Sequence, residues 1–137
     1  MSFSNIIDYI PQRPPMVMVG EIVEVQEEEI LTQFVISEDN LLVENGFLSE
    51  SGIIENIAQT AAAFSGVKAK MNNEKVKVGF IGSVRNLQIN SLPKVESTIQ
   101  TSVKLVGKVM NVDMIEGKIT QNGNIVAQCE MRIFLEE

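Results

Sequence analysis

The 137-residue sequence contains no histidine. That excludes Ser-His-Asp and Cys-His nucleophilic devices and every metal site built on imidazole. Any acid–base step falls to carboxylate, lysine, tyrosine or water. Cys129 is the one cysteine, so no intrachain disulfide forms and a structural zinc site lacks its ligands. It sits in an apolar, alternating segment and reads as a small core residue rather than a nucleophile. Tryptophan is absent, there is one tyrosine, and the net charge is −7. With no basic stripe and no interleaved aromatics, nucleic acid is not an expected partner. No apolar run approaches the roughly 20 residues of a membrane span. The opening MSFSNIIDYIPQRPP has no cationic stretch followed by an apolar one, so it does not read as a signal peptide. Cytoplasmic residence is the default expectation, and no metal or cofactor is expected.

What is present describes an ordinary globular chain. Apolar residues are 45% and charged residues 21%, enough for one domain over residues 1–137 with a real core. Residues 3–10 fit a short helix capped by Ser4 or Asn5 and stopped by Pro11, followed by a rigid Gln12-Arg13-Pro14-Pro15 element. Residues 16–26 and 30–36 read as a hairpin turning at Glu27-Glu28-Glu29. The five glutamates between 21 and 29 fit a solvated face. Residues 37–46 form a polar connection holding the apolar island Leu41-Leu42-Val43.

Residues 50–71 carry the long helix pattern. Ile53, Ile54, Ile57, Ala58, Ala61, Phe64, Val67 and Met71 follow helical spacing, with Ser49 or Ser51 as the cap. The middle of the helix is small (Ala58, Ala61, Ala62, Ala63, Ser65, Gly66), which suits a helix enclosed by other backbone. Four β-like stretches follow, at 76–90, 95–106, 108–119 and 124–135. They are separated by Leu92-Pro93-Lys94, by Gly107 and by a hairpin turn centred on Asn122-Gly123. One helix among strand-rich segments predicts an α+β fold with an antiparallel sheet.

Four strings in the right order are similar to the bacterial 3-hydroxyacyl-acyl-carrier-protein dehydratases of the hotdog superfamily. Ile10-Pro11-Gln12-Arg13-Pro14-Pro15-Met16-Val17-Met18-Val19 resembles that family's Leu-Pro-His-Arg-x-Pro-Phe-Leu-Leu-Val. Glu55-Asn56-Ile57-Ala58-Gln59 resembles its Glu-Ala-Met-Ala-Gln on the central helix. Phe80-Ile81-Gly82-Ser83-Val84-Arg85-Asn86 and Pro93-Lys94-Val95 resemble its third strand and its Pro-Gly-Asp turn. The resemblance implies a hotdog fold, one long helix wrapped by an antiparallel sheet, and dimers joined edge to edge with sites across the interface. The family's catalytic histidine lies in a Gly-His-Phe-Pro string. Here Asn45-Gly46-Phe47-Leu48 puts Gly46 in its place, and Gln12 replaces the histidine of the opening motif. The fold therefore carries over, and the dehydratase (lyase) activity does not carry over unaltered.

The expected site follows from these residues. Glu55 and Gln59, four apart, share one helical face among apolar neighbours, where a partly desolvated carboxylate suits acid–base work and Gln59 orients it or binds a substrate oxygen. Backbone N–H groups near Gly52 would polarise a thioester carbonyl. Gly46 stands in the site by its motif position, and Phe47, Ile54, Phe64, Phe80 and the seven methionines are candidate lining for an acyl chain. Lys68, Lys70, Lys75 and Lys77 fit either a solvated helix end or a docking patch for an acidic acyl carrier protein. The substrates implied are acyl-carrier or coenzyme A thioesters, in fatty-acid or polyketide-like synthesis. The expected assembly is a homodimer, or a heterodimer with a histidine-bearing paralogue. Two alternatives stay open: an acyl thioesterase using Glu55, and a non-catalytic module that binds acyl carriers or subunits.

Overall fold

The computed structural model describes residues 2–136. A short 3-10 turn at Ile6–Asp8 is capped by Asn5, whose side chain accepts from Ile7 N. Then come β1 (Glu21–Val25), β2 (Glu29–Val35), the two-residue strands β3 (Val43–Glu44) and β4 (Phe47–Leu48), the helix α1 (Glu50–Met71), and β5 (Gly79–Ile89), β6 (Thr98–Val109), β7 (Val112–Gln121) and β8 (Asn124–Leu135). The large sheet is antiparallel throughout, in the order β1-β2-β6-β7-β8-β5. One long helix packed against such a sheet is the hotdog architecture.

Alternation drives the packing. On β2, β6, β7 and β8 every second residue is buried (Ile30, Thr32 and Phe34; Ile99, Thr101 and Val103), which is how a pleated strand covers one face. The helix meets this face with Ile53, Ile57, Phe64 and Val67, all buried. Ser49 caps it, accepting from Gly52 N at 3.2 Å, while Glu50 in the first turn and Lys68 and Lys70 in the last complement its dipole. Small helix residues do admit close backbone: a Cβ on Gly66 would lie 1.8 Å from the carbonyl oxygen of Tyr9, where the N-terminal segment crosses α1. Cys129 is buried among these strands, and burial, with Glu130 adding, pushes its thiol up to about 11, as suits a core residue.

The structure departs from the sequence reading in three places. Residues 16–20 are not strand; helix side chains bond the backbone of residues 16 and 18, as described below, and only Gly20 reaches β2, donating to Gln33 O. Gly107 does not end a strand but sits at a bulge within β6, and the turn falls at Met110-Asn111, with Met110 at φ +56°. The polar connection contains a second Asn-Gly turn, Asn45-Gly46 at φ +53° and +84°, which folds β3 onto β4 just ahead of the helix. The Gln121-Asn122-Gly123-Asn124 turn is where it was expected.

A Gly66→Ala variant should lose about 1–3 kcal/mol of stability, because the added methyl meets backbone that cannot step aside. Chemical denaturation measures this; an unchanged midpoint would mean that Tyr9 does not cross the helix there.

Candidate functional site

The site grows from a buried polar lattice on one face of α1. Asn56, Gln59 and Thr60 are fully buried, an unusual set for a helix facing a hydrophobic core. Each is satisfied. Gln59 Oε1 accepts from Met18 N at 2.7 Å, and Gln59 Nε2 donates to Met16 O at 2.9 Å. Asn56 Nδ2 donates to Met18 O at 2.7 Å, and Asn56 Oδ1 accepts from Thr101 Oγ1 on β6. Thr60 Oγ1 donates to Asn56 O at 2.8 Å and meets Thr32 Oγ1 on β2 at 2.9 Å. The two carboxamides thus serve residues 16–18 as a neighbouring strand would, which is why this β-rich stretch joins no sheet.

Gln59 Nε2 also donates to Glu55 Oε2 at 2.8 Å. Glu55 is half-buried, with one carboxylate oxygen held and the other without a hydrogen-bond partner among the described residues. It opens onto a groove of about 490 Å³. One wall is the small stripe of α1, Ala58, Ala62 and Ser65; the floor is Val103, Ile115 and Ile133; the far wall is Gly79 to Ile81 of β5. Gln12 lines the same groove, and its Oε1 is buried with no partner among the described residues. At the opposite end stand Lys68, Lys77 and Lys108 with Glu74 and Asp113. Burial pushes the Lys68 ammonium below the ordinary lysine pKa, an effect that Asp113 counters in part.

The groove lies against an open edge. β5 pairs only with β8, leaving its other side unpaired, and Phe80 (59% exposed) and Ile81 (38%) stand on this strand. Exposed apolar residues on a long unpaired strand mark a surface for another chain.

Of the residues expected in the site, Glu55, Lys68 and Lys77 line the groove, and Gln59 reaches it through Glu55. Gln59 has little freedom for substrate, since its oxygen and nitrogen are already bonded to residues 16, 18 and 55. Gly52 donates its N–H to the Ser49 cap, and a Cβ there would lie 2.3 Å from Leu48, so close packing accounts for the glycine. Gly46 and Phe47 lie on the β3–β4 hairpin, and neither they nor Ile54 are among the groove's walls. Phe64 and Phe80 line the groove, and no methionine among the described residues does. Lys70 and Lys75 are exposed outside it. Gln12 was missed as a groove residue; its place in the opening string, where the similar dehydratases carry a histidine, was the available signal.

A family model for ApeP-like proteins, described as ApeP dehydratase, matches residues 4–137. The chain belongs to the ApeP-like dehydratase family. No curated protein matches the sequence. Among solved structures, the dehydratase heterocomplex ApeI:P from Xenorhabdus doucetiae is similar with a TM-score of 0.87 at 20% identity, covering 99% of this chain and 93% of that one. The smu.793 protein of Streptococcus mutans, bound to acetyl-CoA, is similar at 0.65 and 13% identity, covering 85% and 87%. A hypothetical thioesterase protein with coenzyme A from Streptococcus pneumoniae is similar at 0.66 and 11%, covering 84% and 86%. At these identities the structural likenesses establish the hotdog fold, and the family match places the chain among acyl-thioester-related proteins. No helix among the described residues is long and apolar enough to cross a membrane.

Replacing Gln59 by Leu leaves buried donors and acceptors on residues 16 and 18 unpaired, and should cost about 2–4 kcal/mol. Glu55→Gln, at a half-exposed position, should stay within about 1 kcal/mol of the parent. Denaturant titration of the two variants checks the contrast; equal losses would show that residues 16–18 are not held by Gln59.

Proposed function

We propose that this chain is a subunit of a 3-hydroxyacyl-thioester dehydratase whose catalysis depends on a histidine-bearing hotdog partner seated along β5. Its substrates are acyl groups on an acyl carrier protein or coenzyme A, in fatty-acid or polyketide-like assembly. The observation that carries this reading is a half-buried Glu55, oriented by Gln59, in an apolar groove bounded by an unpaired strand edge. At its Glu55 end the groove offers a carboxyl and a carboxamide, and the chain has no imidazole to serve as base. The ApeP-like family and the heterocomplex formed by the ApeI:P relative support a partner that supplies one.

The chemistry divides between the two chains. The partner's base removes the proton α to the thioester carbonyl, and that electron pair forms the α,β double bond. The bond between the β-carbon and its hydroxyl breaks, and the Glu55 carboxyl gives its proton to the departing oxygen, which leaves as water. Proton return from the partner's base to Glu55 restores the pair. Gln12 Oε1, buried and unpartnered, accepts a hydrogen bond from the substrate hydroxyl or from an amide of the thioester arm. Lys70 and Lys75, exposed beyond the groove, remain available to steer an acidic carrier protein.

A second reading has one observation in its favour. The unpartnered oxygen of Glu55 can activate water against a thioester carbonyl without any histidine, which is the chemistry of a thioesterase.

The test supplies a 3-hydroxyacyl and a saturated acyl carrier thioester to the chain alone and co-expressed with a histidine-bearing 3-hydroxyacyl dehydratase subunit of the same cell. Water loss should appear only in the mixture, and Glu55→Gln should lower it about 100-fold or more. Free thiol from the saturated substrate would establish the thioesterase instead. Water loss indifferent to Glu55→Gln would remove Glu55 from the mechanism.

A further inference from the structure

Lys68 is a further group in the groove without an ion-pair partner among the described residues, and it lies at the end remote from Glu55. Its side chain is half-buried, and its ammonium sits 4.0 Å from the centre of the Phe64 ring. A cation over an aromatic face recovers part of the hydration it has lost, but not all of it. The natural counter-ion would be Asp113, yet Asp113 is bound by Lys108 at 2.8 Å, and no carboxylate among the described residues lies within ion-pair distance of Lys68. Burial lowers its pKa, as expected of a cation held without an anion. Lys77 and Lys108 line the same end with Glu74 and Asp113, and Glu27 and Glu28 act on Lys68 from farther off, so Lys68 stands among charges of both signs with no carboxylate bound to it.

From this arrangement we propose that the Lys68 end of the groove is an anion subsite, which binds an anionic group on the same ligand whose other end reaches Glu55. The inference rests on the proposed function only in taking the groove as the place where substrate lies. Lys68 follows Glu55 by thirteen residues on one helix, which sets the two groups roughly 20 Å apart along the axis at 1.5 Å per residue. Between them the helix lines the groove with Ala58, Ala61, Ala62 and Ser65, and Phe64, the ring beneath Lys68, is the one bulky side chain. A ligand with one polar end at Glu55, an extended slender middle and an anion at Lys68 satisfies both ends. The anion has two sources. One is the phosphate of a phosphopantetheine arm, with the thioester at Glu55; the other is an acidic group at the far end of the acyl chain.

Two matched pairs of probes test the subsite on the full chain by titration calorimetry: 4′-phosphopantetheine against pantetheine, and decanoate against decanol. The anionic member of at least one pair should bind about ten-fold tighter than its neutral counterpart, and which pair responds identifies the source. Lys68→Met keeps the apolar stem over Phe64 and should abolish that preference while leaving the neutral member's affinity unchanged. If neither pair distinguishes anion from neutral, or if Lys68→Met keeps the preference, the subsite is overturned. Failure of the thioester reading shows separately: a chain that selects anions through Lys68 but ignores an uncharged acyl-pantetheine thioester keeps the subsite and loses the proposed function.

Discussion

Two buried carboxamides on α1, those of Asn56 and Gln59, hold this structure in working order. They give the backbone of residues 16–18 the hydrogen bonds that a neighbouring strand would otherwise supply. Inside a low-dielectric core such a lattice is worthwhile only when every member is paired, and here every carboxamide atom is. Two consequences follow for the site. Gln59 keeps a hydrogen free for Glu55 and so sets the direction of the carboxylate. The same bonds fix the segment that follows Gln12, which brings an unpartnered carboxamide to the groove that Glu55 enters.

The second determinant is what the fold leaves undone. β5 closes one wall of the groove with its inner residues and presents an unpaired edge outward. The groove has polar groups at both ends and an apolar middle, with helix residues small enough to let an extended ligand lie against the backbone. A chain without histidine that displays a positioned carboxyl beside an open strand edge fits one half of a two-chain catalyst. In the proposed dehydratase the carboxyl and the substrate track belong to this subunit, and the base belongs to its partner.

Much of the fold could be read from the residues because its determinants are local. Ser49, the apolar spacing and the small centre define α1, and Asn122-Gly123 turns the last hairpin because both residues accept positive φ. Readings failed where the determinant was distant. Residues 16–18 have strand-like composition, yet the partners of Met16 O and of the Met18 backbone are side chains about forty positions away, which no periodicity reveals. Gly107 looked like a strand end, but a bulge absorbs it and Met110 takes the positive φ instead. In the site, the spacing of Glu55 and Gln59 correctly put them on one face; that Gln59 belongs mostly to the backbone of residues 16 and 18 was not visible. The lysine cluster divides in the same way: Lys68 and Lys77 line the groove, and Lys70 and Lys75 stand outside it.

The most direct test of the proposed two-chain dehydratase is a crystal structure of the chain with a histidine-bearing hotdog subunit of the same cell and a non-reactive 3-hydroxyacyl thioester mimic. The account predicts the mimic's hydroxyl on Glu55, its chain lying between α1 and β5, and the partner covering the β5 edge. A mimic bound elsewhere, or a Glu55 facing solvent with β5 still unpaired, would contradict it.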